Sequence, residues 1–498
     1  MKRMAQACDT CMPRKRGMIQ RPRCSGGTTT SAHCGKSVSR KRRISQRGYR
    51  RPNSAELVAE YKSARRCLNK AIKDSKKNCW KELINEVDKD LWGRPYKVVM
   101  AHLKYQPMPS PTCPQLLLKI VTALFPRQRE FIYTWQQLNP EDIPLVTKQE
   151  LMETCNRVGN NKAPGLQRPI WIPEGALDAI NLVVNITKDA IAGIRWKGGT
   201  KEYCLVVALD IRNAFNYASW VCIMQALRGK NVPEYLCRIV ASYFTGRVLK
   251  YDTKNGPKEY DITGGVPQGS VLGPLLWNIM YDGLLRLNIP RCVKLVAYAD
   301  DVAVVIVAKH LDEICRLFDI TFEQVNRWMD TVNLQLAKHK TEAVLITSRK
   351  VVEIITLRVG DLEITSQPHI RYLRVMLDAR LNFKQQVEHV IARASAVVTS
   401  LARLMPNVGG PKETRRLLLS SVVTSALTYG ISIWADALDT QESLRKAGPV
   451  YRRSELRVAS AFRTISEEAM CVISGTLPLR ILADERQILY QRRKSEKH

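Results

Sequence analysis

The chain has no run of about 18 consecutive apolar residues, and its start, Met1 to Arg23, lacks the apolar core of a secretory leader. Those absences argue against a membrane span and against export, so a soluble intracellular protein is expected. The 14 Cys residues have no repeating spacing, which excludes a disulfide framework and fits reduced thiols packed as small apolar groups. No internal repeat is visible. Acidic residues are scarce: 46 Asp plus Glu stand against 78 Lys plus Arg, a formal charge of +32. An excess that large favours a polyanionic partner through counterion release, and nucleic acid fits better than a membrane surface. At 498 residues the chain is long enough for two or three packed units.

Residues 1–52 carry Arg14-Lys15-Arg16 and Lys41-Arg42-Arg43 among Gly, Ser and Thr with almost no large apolar side chain, which predicts a disordered basic segment. Those two clusters suit nuclear import or a grip on nucleic acid, and equally a plain solvated charge run. Cys8 and Cys11 have the spacing of half a zinc knuckle. The other half is malformed, because His33 and Cys34 are adjacent and Cys24 stands alone, so these read as coincidental thiols. A helix is expected from Asn53, with Asn53 as cap and Glu56 as the returning partner, and Leu57, Tyr61, Ala64, Leu68, Ile72 and Cys79 at helical spacing. Lys62, Arg65, Arg66, Lys70, Lys73, Lys76 and Lys77 make its opposite face basic. Trp92-Gly93-Arg94-Pro95 breaks it, and a loop from Pro107 to Pro114 sets a boundary near residue 110. Beyond residue 145 apolar strands alternate with amphipathic helices, and from about 385 the pattern is mainly helical.

The chemistry is concentrated at two places. Cys204 to Leu209 is a continuous apolar run, hence a buried strand, and Asp210 stands at its end. Further on, Lys294 to Ile306 reads as two apolar strands meeting at Asp300-Asp301, a hairpin with the acidic pair at its turn. An Asp-Asp turn alone proves little, since Asp is a common turn residue. Adjacent carboxylates are costly to bury without counter-ions, however, and neighbouring strands would bring Asp210 to the same sheet edge. Such an edge suits two Mg²⁺ ions ~3.5–4 Å apart, the clamp for in-line nucleotidyl transfer. Between the acidic sites lies Gly264-Gly-Val-Pro-Gln268-Gly269-Ser-Val-Leu-Gly-Pro-Leu275, a loop running into an apolar helix. Its glycines allow close backbone approach to a nucleotide, and Gln268 offers an amide.

The ordered series resembles the motifs of the reverse transcriptases of LINE-type (non-LTR) retrotransposons. Asp210 to Asn216 is similar to motif A, Gly264 to Leu275 to motif B, Tyr298-Ala-Asp-Asp301 to motif C, Leu334 to Leu345 to motif D, and Ile370 to Asp378 to the primer-grip hairpin. The similarity extends from about residue 53 to the C-terminus, through Trp92 to Tyr96, Lys162-Ala-Pro-Gly165 and Tyr429 to Asp436. The resemblance implies an α+β fold: a palm-type core of antiparallel sheet with packed helices, partial fingers, a helical thumb and a basic helical N-terminal arm. It divides the chain into the segment 1–52, a basic helical connector over 53–110, fingers and palm over 111–384, and a thumb with the C-terminal region over 385–498. It implies RNA-directed DNA synthesis primed by a nicked target, with an RNA template, a DNA primer, dNTPs and Mg²⁺ or Mn²⁺, no membrane partner, and a nuclear location after a cytoplasmic ribonucleoprotein stage. By the same resemblance Asp210, Asp300 and Asp301 are metal ligands, the Ile211 carbonyl is a further one, Phe215 excludes a 2′-hydroxyl, Gln268 and Gly269 meet the nucleotide, and Lys340 protonates the leaving pyrophosphate.

Two departures stand out. Lys162 to Ile170 runs almost directly into Gly175 to Ile180, so the fingers are short, and Arg168 is what remains of the triphosphate-binding Arg-Pro-Ile. Arg374 stands where relatives carry Gly in the primer-grip turn. A truncated or decayed copy is therefore expected, and a catalytically inactive nucleic-acid-binding remnant is the alternative function.

Overall fold

A computed structural model describes residues 29–47, 52–103, 113–129, 131–133, 149, 175–192 and 201–495. The chain divides into two compact units. One is built from Met1–Tyr105, Ala392–Leu427 and Gly448–Leu479, and the other from Gln106–Ile391, Thr428–Ala447 and Arg480–His498. The expected division runs along the chain instead, with boundaries at about 52, 110 and 384. The connector and much of the C-terminal helical region share one unit, while Thr428–Ala447 and Arg480–His498 belong with the sheet.

The sheet unit is built on β1 (Tyr203–Asp210), whose apolar run is buried on both faces. Two hairpins follow later in the chain: β2 (Val248–Thr253) with β3 (Gly256–Asp261), and β4 (Val293–Tyr298) with β5 (Asp301–Ala308). The remaining strands are β6 (Glu342–Ile346), β7 (Thr356–Val359), β8 (Leu362–Thr365), β9 (His369–Tyr372) and β10 (Val375–Asp378). A four-stranded antiparallel sheet has the order β4-β5-β1-β6, and β7-β8 and β9-β10 form separate two-stranded hairpins. Alternation along β1 decides what each face meets. Tyr203, Leu205, Val207 and Leu209 enter one core with the helices Trp220–Gly229, Leu272–Leu285 and Leu311–Thr331. On the other face Cys204 lies 3.4 Å from Thr187 Oγ1 of the helix Ala176–Ala192. Within the first core Trp220 stacks on Phe244 at 4.9 Å and donates through Nε1 to the Gly265 carbonyl at 2.8 Å.

In the other unit the helix expected from Asn53 runs from Ser54 to Glu86. Its cap differs from the expectation, because the Asn53 side chain makes no capping bond. Leu83, Ile84 and Val87 are buried, and Trp80 Nε1 donates to the Arg403 carbonyl at 3.2 Å beneath the Arg403 guanidinium. The disorder expected for 1–52 is corrected over Thr29–Arg47, which is an α-helix. Its Ser, Thr and Gly are poor helix formers, so packing supplies what propensity lacks. Lys41 reaches Glu60 of the long helix at 3.4 Å. The rest of that segment, with Cys8, Cys11, Cys24 and Arg14 to Arg16, lies outside the described residues.

Candidate active site

The register of the sheet, more than the sequence, arranges the carboxylates. Asp210, the last residue of β1, is the direct cross-strand partner of Asp301, the first residue of β5. The β4-β5 turn is Ala299-Asp300, closed by the pair Tyr298 and Asp301. The expectation of an Asp-Asp turn is thereby shifted by one residue: Asp300 is in the turn and Asp301 is in the strand. Ala299 takes a left-handed conformation with φ +56°. For a residue with a Cβ that costs roughly 1–2 kcal/mol.

The backbone past Asp210 is held by the segment that follows Leu334. Arg212 N donates to Gln335 O, Ala337 N donates to Asp210 O, both at 2.8 Å, and Ile211 forms a bridge with Leu336. The same segment then turns through Lys338–Lys340 and puts Lys340 Nζ 2.8 Å from Asp210 Oδ2. That contact raises the Lys340 ammonium pKa, through the hydrogen bond to Asp210 first and its charge second. Asp301 is pushed up to about 6 by burial, then by the neighbouring charges of Asp300 and Asp210. Tyr281 and Tyr372 are buried, their hydroxyls have no hydrogen-bond partner among the described residues, and burial together with the acidic residues raises both phenols. Negative charge is therefore concentrated here with one ammonium group set against it.

That donor set, hard carboxylate oxygens short of positive charge, fits a divalent cation of the Mg²⁺ or Mn²⁺ type. As they stand, no three His, Cys, Asp or Glu side chains among the described residues are grouped closely enough to hold an ion, and Lys340 is the cation on Asp210.

The loop after Gly264 is clamped to the segment after Asp210. Gly265 N donates to Ala218 O at 2.7 Å and Val266 N to Phe215 O at 2.8 Å. A Cβ on Gly265, which has φ +85°, would lie 2.8 Å from the Asn216 carbonyl, so only glycine fits. Gln268 and Gly269 are exposed at the tip of this loop. Phe215 is half-buried, its ring 5.1 Å from that of Trp277. Arg168 lies outside the described residues.

The β9-β10 hairpin turns at Leu373-Arg374, and both have positive φ, +45° and +70°. The Tyr429 hydroxyl donates to the Leu373 carbonyl at 3.1 Å and holds the turn. Arg374 thus occupies a conformation that glycine adopts freely. Arg374→Gly is expected to raise stability by about 1 kcal/mol, read from thermal melts. A lower melting temperature would show that the arginine side chain makes a stabilising contact instead.

Of the residues named from the sequence, the fold brings Asp210, Ile211, Asp300, Asp301 and Lys340 together and leaves Gln268 and Gly269 on an exposed loop. Sequence reasoning gave no part to Trp277 or Tyr281, and it named Ala299 and Tyr429 only within longer motifs. Trp277 and Tyr281 lie within an apolar helical run, where an aromatic residue carries no signal beyond core packing.

An antiparallel sheet with acidic residues at the adjoining ends of its two central strands, and helices packed on it, is an α+β fold of the palm type. Residues 160–377 match the family described as "Reverse transcriptase (RNA-dependent DNA polymerase)". That match spans less than half of the chain, and the curated relatives it shares are proteins of non-LTR retrotransposable elements. The chain is similar to the Pol polyprotein of the R1 retrotransposable element of Bradysia coprophila, 25% identical over 295 residues, or 59% of this chain and 29% of that protein. It is also similar to an R1 polyprotein of Nasonia vitripennis, 28% identical over 220 residues, covering 43% of this chain and 65% of that one. The chain thus spans less than a third of the first relative's length. Among solved structures, a telomerase from Candida albicans is similar at 10% identity with a TM-score of 0.35, covering 62% of this chain and 55% of that one, too distant to bear on function.

Proposed function

We propose that the protein is an RNA-directed DNA polymerase of a non-LTR retrotransposon, extending a DNA primer at a nicked target on an RNA template with dNTPs. The observation that carries this reading is the cross-strand pair Asp210 and Asp301 with Asp300 in the adjoining turn. In this role the three carboxylates and the Ile211 carbonyl hold divalent metal, which when bound supplies the positive charge for in-line phosphoryl transfer. Lys340 releases Asp210 and turns to the leaving pyrophosphate, to which its ammonium donates a proton. Phe215 lies under the sugar and rejects a 2′-hydroxyl, while Gln268 and Gly269 contact the nucleotide. Arg168 keeps its assignment to the triphosphate. Chelation tests the metal dependence: EDTA is expected to abolish dTTP incorporation, and excess Mg²⁺ or Mn²⁺ to restore it. Incorporation that persists in EDTA would remove the carboxylates from this role.

The basic helix supports a nucleic-acid partner. Lys62, Arg65, Arg66, Lys70, Lys73, Lys76 and Lys77 are all exposed, and at 3.6 residues per turn they fall on one face of Ser54–Glu86, with Glu56, Glu60 and Glu82 off that face. No single helix among the described residues is long and apolar enough to cross a membrane. Replacing Lys73, Lys76 and Lys77 by Gln is expected to flatten the dependence of log affinity for RNA on log salt by about 2, since each lost phosphate contact on a single strand removes about 0.7. Fluorescence anisotropy over a NaCl series measures this, and an unchanged slope would take the helix off the RNA. A nuclear location belongs to the same reading, with Lys41-Arg42-Arg43 on Thr29–Arg47 as the described cluster that fits it.

A further inference from the structure

Trp277 sits on the helix Leu272–Leu285, away from every position assigned above, yet it touches both halves of the site. Its indole is fully buried. The Nε1–H donates to the Ala299 carbonyl at 2.9 Å, and Ala299 is the left-handed residue immediately before Asp300. One face of the indole meets Phe215, ring to ring at 5.1 Å and tilted by 46°. Behind it Tyr281 stacks at 5.1 Å, and Tyr281 in turn meets the edge of Trp328 at 5.8 Å, so the indole is backed by rings that leave it little freedom to shift.

Two requirements meet at this side chain. The turn carrying Asp300 is strained, because an alanine occupies a conformation that glycine would take freely, and a strained backbone persists only where its surroundings hold it. Among the described residues, the Trp277 hydrogen bond is a side-chain contact that grips the strained residue. Phe215 is half-buried and belongs to a segment anchored by its backbone to the Gly265 loop, so its ring orientation depends on what it packs against.

We propose that Trp277 is a positioning residue that sets two things together: the place of the Asp300 turn and the seat of the Phe215 ring. The sugar-selectivity half of this rests on the reading of Phe215 given above; the turn half does not. An indole does both because it combines a flat apolar face with one edge donor, whereas phenylalanine keeps the face and loses the donor.

The test uses the full chain as wild type, Trp277→Phe, the double variant Trp277→Phe with Ala299→Gly, and Phe215→Ala. Two readouts are taken: hydrogen exchange of the backbone over Tyr298 to Val302, and single-nucleotide incorporation of dTTP and rUTP on poly(rA)/oligo(dT), with thermal melts to establish that each protein is folded. Trp277→Phe is expected to speed exchange in that segment over the rest of the sheet, to lower kcat for dTTP about tenfold or more with a smaller change in KM, and to narrow the dTTP to rUTP ratio. Adding Ala299→Gly, which removes the strain the indole restrains, is expected to return exchange and kcat most of the way to wild type while the narrowed ratio remains. A merely structural loss of packing would not be repaired by a glycine in the turn.

Exchange in Tyr298 to Val302 that is the same in Trp277→Phe as in wild type overturns the proposal, whatever the activities. A slower turnover that the glycine does not rescue overturns it also. If Phe215→Ala leaves the dTTP to rUTP ratio unchanged, the reading of Phe215 fails while the turn half still stands or falls on exchange. If Phe215→Ala narrows the ratio and Trp277→Phe does not, the gate reading holds and Trp277 does not seat it.

Discussion

Asp301→Asn is expected to abolish nucleotide incorporation while making the metal-free protein harder to melt. Removing one carboxylate from the cluster should cost about a thousandfold or more in kcat, on the order of 4 kcal/mol of barrier. The effect on stability has the opposite sign. The Asp301 carboxyl is raised from its ordinary value of 3.8 to about 6 by burial and by Asp300 and Asp210. A folded-state pKa above the unfolded one means that the contribution to stability is present below about pH 4 and is lost as pH rises through about 6. At neutral pH the ionised group therefore opposes folding. With solvent screening at its exposed side allowed for, the opposition is on the order of 1–2 kcal/mol. Asn removes it, so melts in EDTA at pH 7.5 should place the variant a few degrees above wild type, and at pH 4 the difference should close. A variant that melts below wild type at pH 7.5 would mean that the acidic edge is already compensated in the metal-free protein.

Arg416→Met is expected to destabilise the helical unit by about 3–5 kcal/mol. Arg416 is 4% exposed, and its guanidinium donates to four main-chain carbonyls: Nε to Pro411 at 2.9 Å, Nη1 to Arg457 at 2.8 Å, and Nη2 to Pro406 at 2.8 Å and Gly409 at 2.6 Å. These carbonyls belong to the bend before the helix Glu413–Leu427 and to the last turn of Gln441–Val458. Methionine fills much of the volume and satisfies none of the four acceptors, so the loss is that of buried polar groups left without a donor. Lysine should not rescue it, since a single ammonium cannot reproduce the planar fork. Urea unfolding and proteolysis over Pro406–Pro411 measure the effect; a change under 1 kcal/mol would mean that water replaces the guanidinium.

Much of the site was legible because its signals are local. An uninterrupted run such as Cys204 to Leu209 reads as a buried strand, and the run from Lys294 to Ile306 broken by two acids reads as a hairpin. What was not legible depends on register or on long-range partners. The turn falls on Ala299-Asp300 because β5 pairs Asp301 with both Tyr298 and Asp210, and no preference of alanine announces a left-handed turn residue. Helical periodicity marks the region from about 385 onward as mainly helical, but it does not say which unit a helix joins. Tyr490 donates to Asp178 Oδ1 at 2.7 Å, and Ser420 donates to the buried Glu455 at 2.7 Å. The first contact lies within the sheet unit and the second within the helical unit. Thr29–Arg47 was missed for the opposite reason: its composition argues for disorder, and only packing on Ser54–Glu86 makes it a helix.

The central claim is that the edge formed by Asp210, Asp300 and Asp301 is the catalytic centre of an RNA-directed DNA polymerase. Primer extension on poly(rA)/oligo(dT) with Mg²⁺ and dTTP tests it most directly, with the Asp300→Ala, Asp301→Ala double variant as control. Incorporation by the wild-type chain that vanishes in the control is the predicted result; no incorporation by folded wild-type protein, or incorporation equal in both, would contradict it.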